Sequence, residues 1–203
     1  MAKRVAIFCD GSNIYKGLEQ NFPGKEIQFT PFFEKMVSAD RELLRVYYYL
    51  AVPPYEPAAS GTQRFIAYLQ GLPYVEVRHK KLSPYQEGGQ TRYREKGIDV
   101  AIAVDMVDMA YRGTYDVAAL VSGDADLVPA IVAVKDAGRH TENYYFTGTQ
   151  SLELRQQVDR SFELNATWCK GLLIASKAPA IQLAAKTVPA PATATVVPPL
   201  KKM

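Results

Sequence analysis

Cysteine and histidine are both scarce in this chain of 203 residues, which contains two of each. Cys9 and Cys169 are too few to build a disulfide framework or a four-ligand zinc set. His79 and His140 each stand alone, so neither has a second histidine at metal-ligand spacing. Because disulfides mark oxidising compartments, the sparing use of cysteine predicts a reducing, cytoplasmic location.

Long hydrophobic runs are missing as well. No apolar stretch approaches the roughly 20 residues that a transmembrane helix needs. The apolar run behind the basic residues Lys3 and Arg4 meets Asp10 too early for a signal peptide. We therefore expect no membrane partner, and the length of the chain permits one domain with a tail.

An excess of charge of either sign is also lacking once the C-terminal end is set aside. Residues 177–203 carry 4 of the 24 basic residues and no acid, which leaves 20 basic against 21 acidic residues in the rest. That end is rich in Ala, Pro, Thr and Val without a periodic pattern, so we predict a disordered tail over 177–203 after a domain over 1–176. A generally basic surface therefore gives no argument for nucleic-acid binding.

What the chain does contain is acidic residues placed just after apolar runs. The run from Lys3 to Cys9 is typical of a strand and is followed by Asp10, and a second run ends at Val121, shortly before Asp124 and Asp126. In open parallel sheets, ligands bind at the carboxyl ends of the strands. Two neighbouring carboxylates there favour a hard cation such as Mg²⁺ or Mn²⁺. The alternative is that these acids belong only to the turns and cap the helices that follow, and the motifs alone leave both interpretations open.

A long apolar helix is predicted from Val100 to Tyr111, with Asp99 at its first turn. Since nearly every position is apolar, we expect this helix to be buried on all sides. Stabilisation of the helix dipole is a complete alternative explanation for Asp99. Asp105 lies about 240° around the helix from Asp99, so the two acids do not share a face. We interpret Asp105 as a buried acid bound to backbone donors, in a supporting role.

Strands and helices alternate along the chain, which predicts an α/β fold, a three-layer α/β/α sandwich with a mainly parallel central sheet. The predicted strands cover 3–9, 43–52, 74–82, 116–121 and 141–146, with an edge strand at 162–164, and the predicted helices begin near Ile14 and then cover 27–40, 61–71, 100–111, 127–137 and 152–158. In this architecture Asp10, Asp99, Asp124 and Asp126 are expected to meet at one edge of the sheet. A carboxylate cluster without histidine or cysteine suits Mg²⁺ or Mn²⁺ better than zinc.

Residues 78–96 form a polar segment that is rich in basic side chains. It contains Arg78, Lys80, Lys81, Arg92, Arg94 and Lys96, against Glu87 and Glu95, with Tyr85 and Tyr93 interleaved. A basic loop with aromatic side chains is what a single-stranded nucleic acid with stacking bases requires. A solvated hairpin loop explains the same composition almost as well.

Three blocks of the sequence resemble the signature blocks of the NYN domain, the LabA-like branch of the PIN-like nuclease superfamily. They are Asp10-Gly11-Ser12-Asn13, then Lys96-Gly97-Ile98-Asp99-Val100 with Asp105, then Val121-Ser122-Gly123-Asp124-Ala125-Asp126-Leu127. The resemblance covers roughly residues 3–170, and the segment from Thr149 to Leu154 is similar to a late serine-containing segment of that branch. One departure is Ala125, which stands where a glycine is common between the two aspartates.

The resemblance implies a PIN-like fold and a metal-dependent endoribonuclease that acts on single-stranded RNA. It implies that Asp10, Asp99, Asp124 and Asp126 hold Mg²⁺ or Mn²⁺ as catalytic and metal residues, that Asn13 and Ser122 support them, and that Lys80, Lys81, Arg92, Arg94 and Lys96 hold the RNA. The alternative is a non-catalytic RNA-binding or regulatory module with the same fold. A phosphotransfer domain fits less well, because Ser12 stands where a phosphatase needs a second acid. The sequence also allows a homodimer.

Overall fold

The computed structural model describes residues 2–38, 40–54 and 60–176. The tail predicted over 177–203 lies outside the described residues. Within the described residues there are ten strands and six α-helices. The strands are β1 (Lys3–Asp10), β2 (Lys25–Ile27), β3 (Arg41–Val52), β4 (Val75–Lys81), β5 (Ser83–Glu87), β6 (Gln90–Arg94), β7 (Val117–Val121), β8 (His140–Tyr145), β9 (Arg160–Glu163) and β10 (Leu173–Ala175). The helices are α1 (Gly11–Asn21), α2 (Phe29–Val37), α3 (Gly61–Gln70), α4 (Ile98–Tyr111), α5 (Val128–Asp136) and α6 (Leu152–Gln157).

The central sheet has six strands in the order β4-β3-β1-β7-β8-β9. Its neighbouring strands are paired in parallel throughout. Numbered by their order along the chain, these six strands run 3-2-1-4-5-6, which is a doubly wound arrangement. The direction of winding reverses between β1 and β7. In such sheets the crevice outside the carboxyl ends of the strands at the reversal is the usual ligand site.

Helices cover both faces of this sheet, because the strands are apolar on both sides. Along β1, Val5, Ile7 and Cys9 face one buried cluster and Ala6 and Phe8 face the other. Helices α1, α2 and α3 contribute to the first cluster, and α4, α5 and α6 contribute to the second. The predicted three-layer sandwich with a mainly parallel sheet is therefore confirmed. In the described part of the chain, every helix is too short or too polar to cross a membrane.

Two predicted elements have different bounds in the structure. The helix predicted over 27–40 begins only at Phe29, because residues 25–27 form β2 and pair antiparallel with β10 near the end of the domain. The polar loop predicted to follow the strand over 74–82 is largely extended. Strand β4 continues to Lys81, and β5 and β6 then form an antiparallel hairpin. Its two-residue turn is Gly88-Gly89, and both residues have positive φ angles, as the tightest hairpin turns require.

Helix α4 is not buried on all sides, so that prediction was wrong. It packs on the sheet through Ile102 and Met106, but Val100 is 62% exposed and Val104 is 59% exposed. Sequence composition showed that the helix is apolar all round. It could not show that only one side of the helix faces the sheet.

Candidate active site

The turn after β1 holds Asp10 in a buried position at the carboxyl edge of the sheet. Asp10 is 1% exposed and caps α1. Its Oδ1 accepts hydrogen bonds from the backbone N–H groups of Ser12 and Asn13, both at 3.1 Å, and from the Ser12 hydroxyl at 2.9 Å. Its Oδ2 accepts from the Asn13 side-chain amide and, at 3.1 Å, from the Ser122 hydroxyl. These donors replace water around a buried charge, which would otherwise be costly.

The turn after β7 is joined directly to the turn after β1. Ser122 donates to Asp10 and its Oγ also accepts from the backbone N–H of Asp124 at 3.2 Å. The backbone N–H of Gly123 donates to Asn13 Oδ1 at 3.1 Å. The structure thus brings Asp10 and Asp124 together through the two residues, Asn13 and Ser122, that the resemblance assigned as supports.

Gly123 is required where the turn after β7 meets the loop after β8. A Cβ atom at this position would lie 2.0 Å from the carbonyl oxygen of Thr149, a separation that backbone atoms cannot tolerate. The carbonyl of Gly123 also accepts from the backbone N–H of Ser151 at 3.1 Å. Asn143, fully buried on β8, donates to the Ser122 carbonyl at 2.7 Å. The late serine-containing segment therefore supports the turn that carries Asp124.

Ala125 does not disturb this turn. Asp124 caps a short 3₁₀ helix over Ala125–Leu127 by accepting from the backbone N–H of Asp126 at 3.0 Å. Asp126 is exposed. The capping interpretation and the site interpretation therefore apply to Asp124 at the same time.

Asp99 lies at the start of α4, within electrostatic range of the other three predicted acids. Burial raises the pKa of the Asp99 carboxyl first of all, and the negative charges of Asp10, Asp124 and, more weakly, Asp126 raise it further. A charge acts on a carboxyl in this way only at short range. We call Asp10, Asp99, Asp124 and Asp126 together the acidic rim.

Glu95 is a fifth acid beside the acidic rim, and sequence reasoning missed it. Burial, followed by the charges of Asp10 and Asp99, raises the pKa of Glu95 to about 7. The Ser12 hydroxyl lies 3.4 Å from Glu95 Oε1. The sequence did contain a signal, because Glu95 directly precedes the block that begins at Lys96. In the sequence alone, Glu95 is one of the two acids of the polar segment over 78–96.

The donors of the acidic rim are all oxygen atoms, which is the set that Mg²⁺ and Mn²⁺ prefer. Among the described residues, no group of three or more Asp, Glu, His or Cys side chains is arranged so that it could hold a metal ion by itself. Mg²⁺ usually keeps several waters and is held through only one or two carboxylates, so an open arrangement suits it. Asp124 is half-buried and Asp126 exposed, and these two carboxylates are open to solvent.

Asp105 lies away from the acidic rim and has a different role from the one predicted. Its carboxylate accepts from the Tyr49 hydroxyl at 2.7 Å and forms an ion pair with Arg78. Arg78 in turn pairs with Glu76 and lies over the ring of Tyr47, 4.6 Å from its centroid. The prediction of backbone donors was wrong, because α4 crosses close enough to β3 and β4 for their side chains to reach Asp105. Asp105 fastens α4 to the sheet.

Of the three predicted RNA-binding lysines, Lys80 and Lys96 lie at the start of α4, and Lys81 lies on the opposite face of the sheet. Lys80 and Lys81 end β4 at the same sheet edge as Asp10, and both are exposed. The ammonium of Lys80 lies 3.4 Å from the point where a Cβ on Gly97 would be, so it reaches the start of α4. Lys96 is also exposed, directly before that helix.

The two predicted arginines lie further out, on the β5–β6 hairpin. Arg92 is paired with Glu87 across the hairpin, and Arg94 lies over the ring of Tyr85 at 5.4 Å from its centroid. Arg94 is exposed, whereas Arg92 is half-buried. The structure therefore separates the five predicted RNA contacts into two lysines at the start of α4, one lysine on the other face of the sheet and two arginines on the hairpin.

A doubly wound α/β domain with an acidic rim at the reversal of its sheet is the class of protein that this geometry defines. The model of the NYN domain family matches residues 4–165, and the chain belongs to that family. The NYN domain is a PIN-like nuclease family, and its nucleases generally depend on divalent metals.

Two relatives extend the comparison. The chain is 29% identical over 167 residues to the low amplitude and bright protein LabA of Synechococcus elongatus, covering 80% of this chain and 84% of LabA. A crystal structure of a protein of unknown function from Vibrio parahaemolyticus is similar with a TM-score of 0.66 and 19% sequence identity, covering 85% of this chain and 97% of that one. At that identity the likeness shows the fold alone.

Proposed function

We propose that this protein is a metal-dependent endoribonuclease that hydrolyses phosphodiester bonds of single-stranded RNA at the acidic rim. The observation that carries the proposal is the direct link from Asp10 through Ser122 to Asp124 across the reversal of the sheet. Membership of a PIN-like nuclease family supports the same reaction class. The charges of Asp10 and Asp124 act on Asp99, which supports a third acid in the same space.

The residues of the rim divide the work in this proposal. One or two of Asp99, Asp124 and Asp126 would bind Mg²⁺ or Mn²⁺ directly and the rest through its waters, while Asp10, buried and held by Asn13 and Ser122, sets their relative positions and adds negative charge. The ion, when bound, supplies activation of water and neutralisation of the charge that develops on the phosphate. The carboxylates themselves bind the ion and orient it toward the phosphate.

Substrate binding in this proposal uses the lysines at the sheet edge and the hairpin. Lys80, Lys81 and Lys96 are exposed at the sheet edge that carries the acids, where they can neutralise RNA phosphates. Arg94 with Tyr85 offers a flat cationic and aromatic surface for an unpaired base. A duplex hides its bases within the stack, so we propose a single-stranded substrate.

The test is cleavage of a single-stranded RNA by the purified full chain in Mn²⁺ and in EDTA. We expect wild type to cut only with the ion, and Asp124→Asn to lose at least about 100-fold in rate, as expected when a charge aimed at the transition state is removed. Asp108→Asn, at an exposed position of α4, is the matched control and should cut like wild type. Cleavage that Asp124→Asn leaves intact would contradict the proposal.

A second candidate is a non-catalytic RNA-binding or regulatory module. It is favoured by the five hydrogen bonds that Asp10 accepts, which give this buried acid a role in folding without any ion. The same experiment separates the two. RNA that is bound by wild type and released uncut in both Mg²⁺ and Mn²⁺ would establish the second function.

A further inference from the structure

Helix α4 carries a line of apolar side chains on its outer face. Val100 is 62% exposed, Val104 is 59% exposed and Tyr111 is 66% exposed, with the half-buried Val107 between them. At 100° per residue these four positions fall within about 60° of one another. An apolar line of this length on a surface marks an interaction site more often than a solvated face. We call these four residues the α4 seam.

The spacing of the α4 seam is symmetric. Successive members are four, three and four residues apart, which is the pattern of a coiled-coil contact line. The midpoint lies between Asp105 and Met106. A second α4 turned by 180° therefore sets Val100 against Tyr111 and Val104 against Val107. A two-fold contact between identical chains requires a patch that is complementary to itself in this way.

We propose that the α4 seam is the interface of a homodimer in which two copies of α4 pack antiparallel. The flanking charges allow it, because Asp108 and Arg112 are paired with each other on the same helix. Antiparallel helices also place opposite dipole ends side by side.

Two other occupants fit the seam less well. RNA is a polyanion, and the only charges within the seam's span are Asp105 and Asp108. The C-terminal segment leaves the described chain at Ser176, beside β10 and β2, whose residues Ile27 and Leu173 pack with the cluster of α1, α2 and α3. That cluster covers the sheet face opposite α4.

The dimer has a consequence for the acidic rim. Val100 directly follows Asp99, so in the antiparallel arrangement Tyr111 of the second copy lies beside the rim of the first. Each rim would then be bordered on one side by the other chain. The dimer itself does not depend on the proposed nuclease activity.

Sedimentation equilibrium of the full chain tests the interface. We expect wild type to be a dimer at concentrations of about 100 µM, and Val104→Glu to raise the dissociation constant by about tenfold or more, because the new carboxylate must be desolvated in the contact. Leu152→Glu, which also replaces an exposed apolar residue on the same layer of helices, is the control and should remain dimeric. Thermal melting should show all three proteins folded.

Disulfide cross-linking tests the direction of the two helices. The natural Cys9 and Cys169 are buried and do not interfere. Val100→Cys and Tyr111→Cys lie about 16 Å apart along one helix. We expect neither variant alone to cross-link, and an equimolar mixture to do so.

Three results would overturn the proposal. They are a monomeric wild type at about 100 µM, a dimer that Val104→Glu leaves unchanged or that Leu152→Glu disrupts equally, and cross-linking of Val100→Cys with itself. A Val104→Glu protein that is unfolded would leave the cross-linking pattern as the deciding measurement.

Discussion

The acidic rim and the β5–β6 hairpin lie at the same edge of the molecule but are built in opposite ways. Asp10 is 1% exposed and is held by five hydrogen bonds from two turns. The hairpin is held mainly by its own strand pairing, and only its base, at Leu82 and Tyr93, packs against the core. The difference shows that the ends of the central strands fix the positions of the acidic side chains. The projecting hairpin, in contrast, offers surface that a long ligand can contact.

Replacing Asp10 with Asn should have the largest effect and sharpen this contrast. The amide would point its N–H groups at donors, so we expect loss of RNA cleavage and a fall of about 2–3 kcal/mol in the free energy of unfolding. Asp124→Asn should lose cleavage with a change below about 1 kcal/mol, since its side chain makes one backbone bond. Urea denaturation measures both. Equal stabilities for the two variants would show that the rim is not held by Asp10.

Asn143→Leu should come next. The leucine leaves the carbonyls of Leu120 and Ser122 without their side-chain donor, at a cost of about 1–3 kcal/mol. Because Ser122 positions Asp124, we expect kcat to fall while the dissociation constant for RNA is unchanged. Gln150→Ala removes the next residue of the same chain of hydrogen bonds and serves as the milder comparison. A loss of RNA affinity without loss of kcat would contradict this positioning role.

Changes in the hairpin and its neighbouring lysine should affect binding alone. For Lys80→Ala and Arg94→Ala we expect weaker RNA binding by several-fold, a shallower dependence of the dissociation constant on salt by about one unit of slope each, and no change in melting temperature. Arg64→Ala on α3, an exposed arginine on the other face of the sheet, is the control. Fluorescence anisotropy at several salt concentrations provides the measurement.

Glu95→Gln should have the smallest effect on RNA cleavage and act on the pH dependence of stability. The pKa of Glu95 is raised from 4.5 to about 7 in the folded protein, so the folded state binds the proton more tightly than the unfolded state. Wild type therefore loses stability as the pH rises from 4.5 through about 7. In EDTA, Glu95→Gln should melt higher than wild type at pH 8 and nearly like it at pH 5. A difference in melting temperature that stays constant between pH 5 and pH 8 would show that the pKa of Glu95 is not raised.

The features that could be predicted from the sequence are those set by residues that are close together along the chain. Strong apolar runs before Asp10 and Asp124 predicted buried strands, and the alternation with helices predicted the parallel sheet. Once the sheet is parallel, the ends of β1 and β7 must lie on one edge, so those two acids meet. The prediction that Asp99 belongs with these two acids depended on the resemblance, because the start of a helix explains an acid at this position equally well.

The parts that were missed depend on contacts between distant residues. The pairing of β2 with β10 joins segments near opposite ends of the domain, and three residues are too few to signal a strand. The partners of Asp105 come from β3 and β4, which no local pattern connects to α4. Glu95 was missed because its importance arises from burial near Asp10, which composition does not report.

The position of the sheet's reversal between β1 and β7 also sets the order in which the site is completed during synthesis. Asp10 leaves the ribosome early, but the hydroxyl that ties it to the second turn belongs to Ser122, 112 residues later. A nascent chain that has emerged only through β4 therefore carries one acid of the four and none of the second turn. If the protein cuts RNA as proposed, the transcript under translation meets a finished site only after most of the domain has been made.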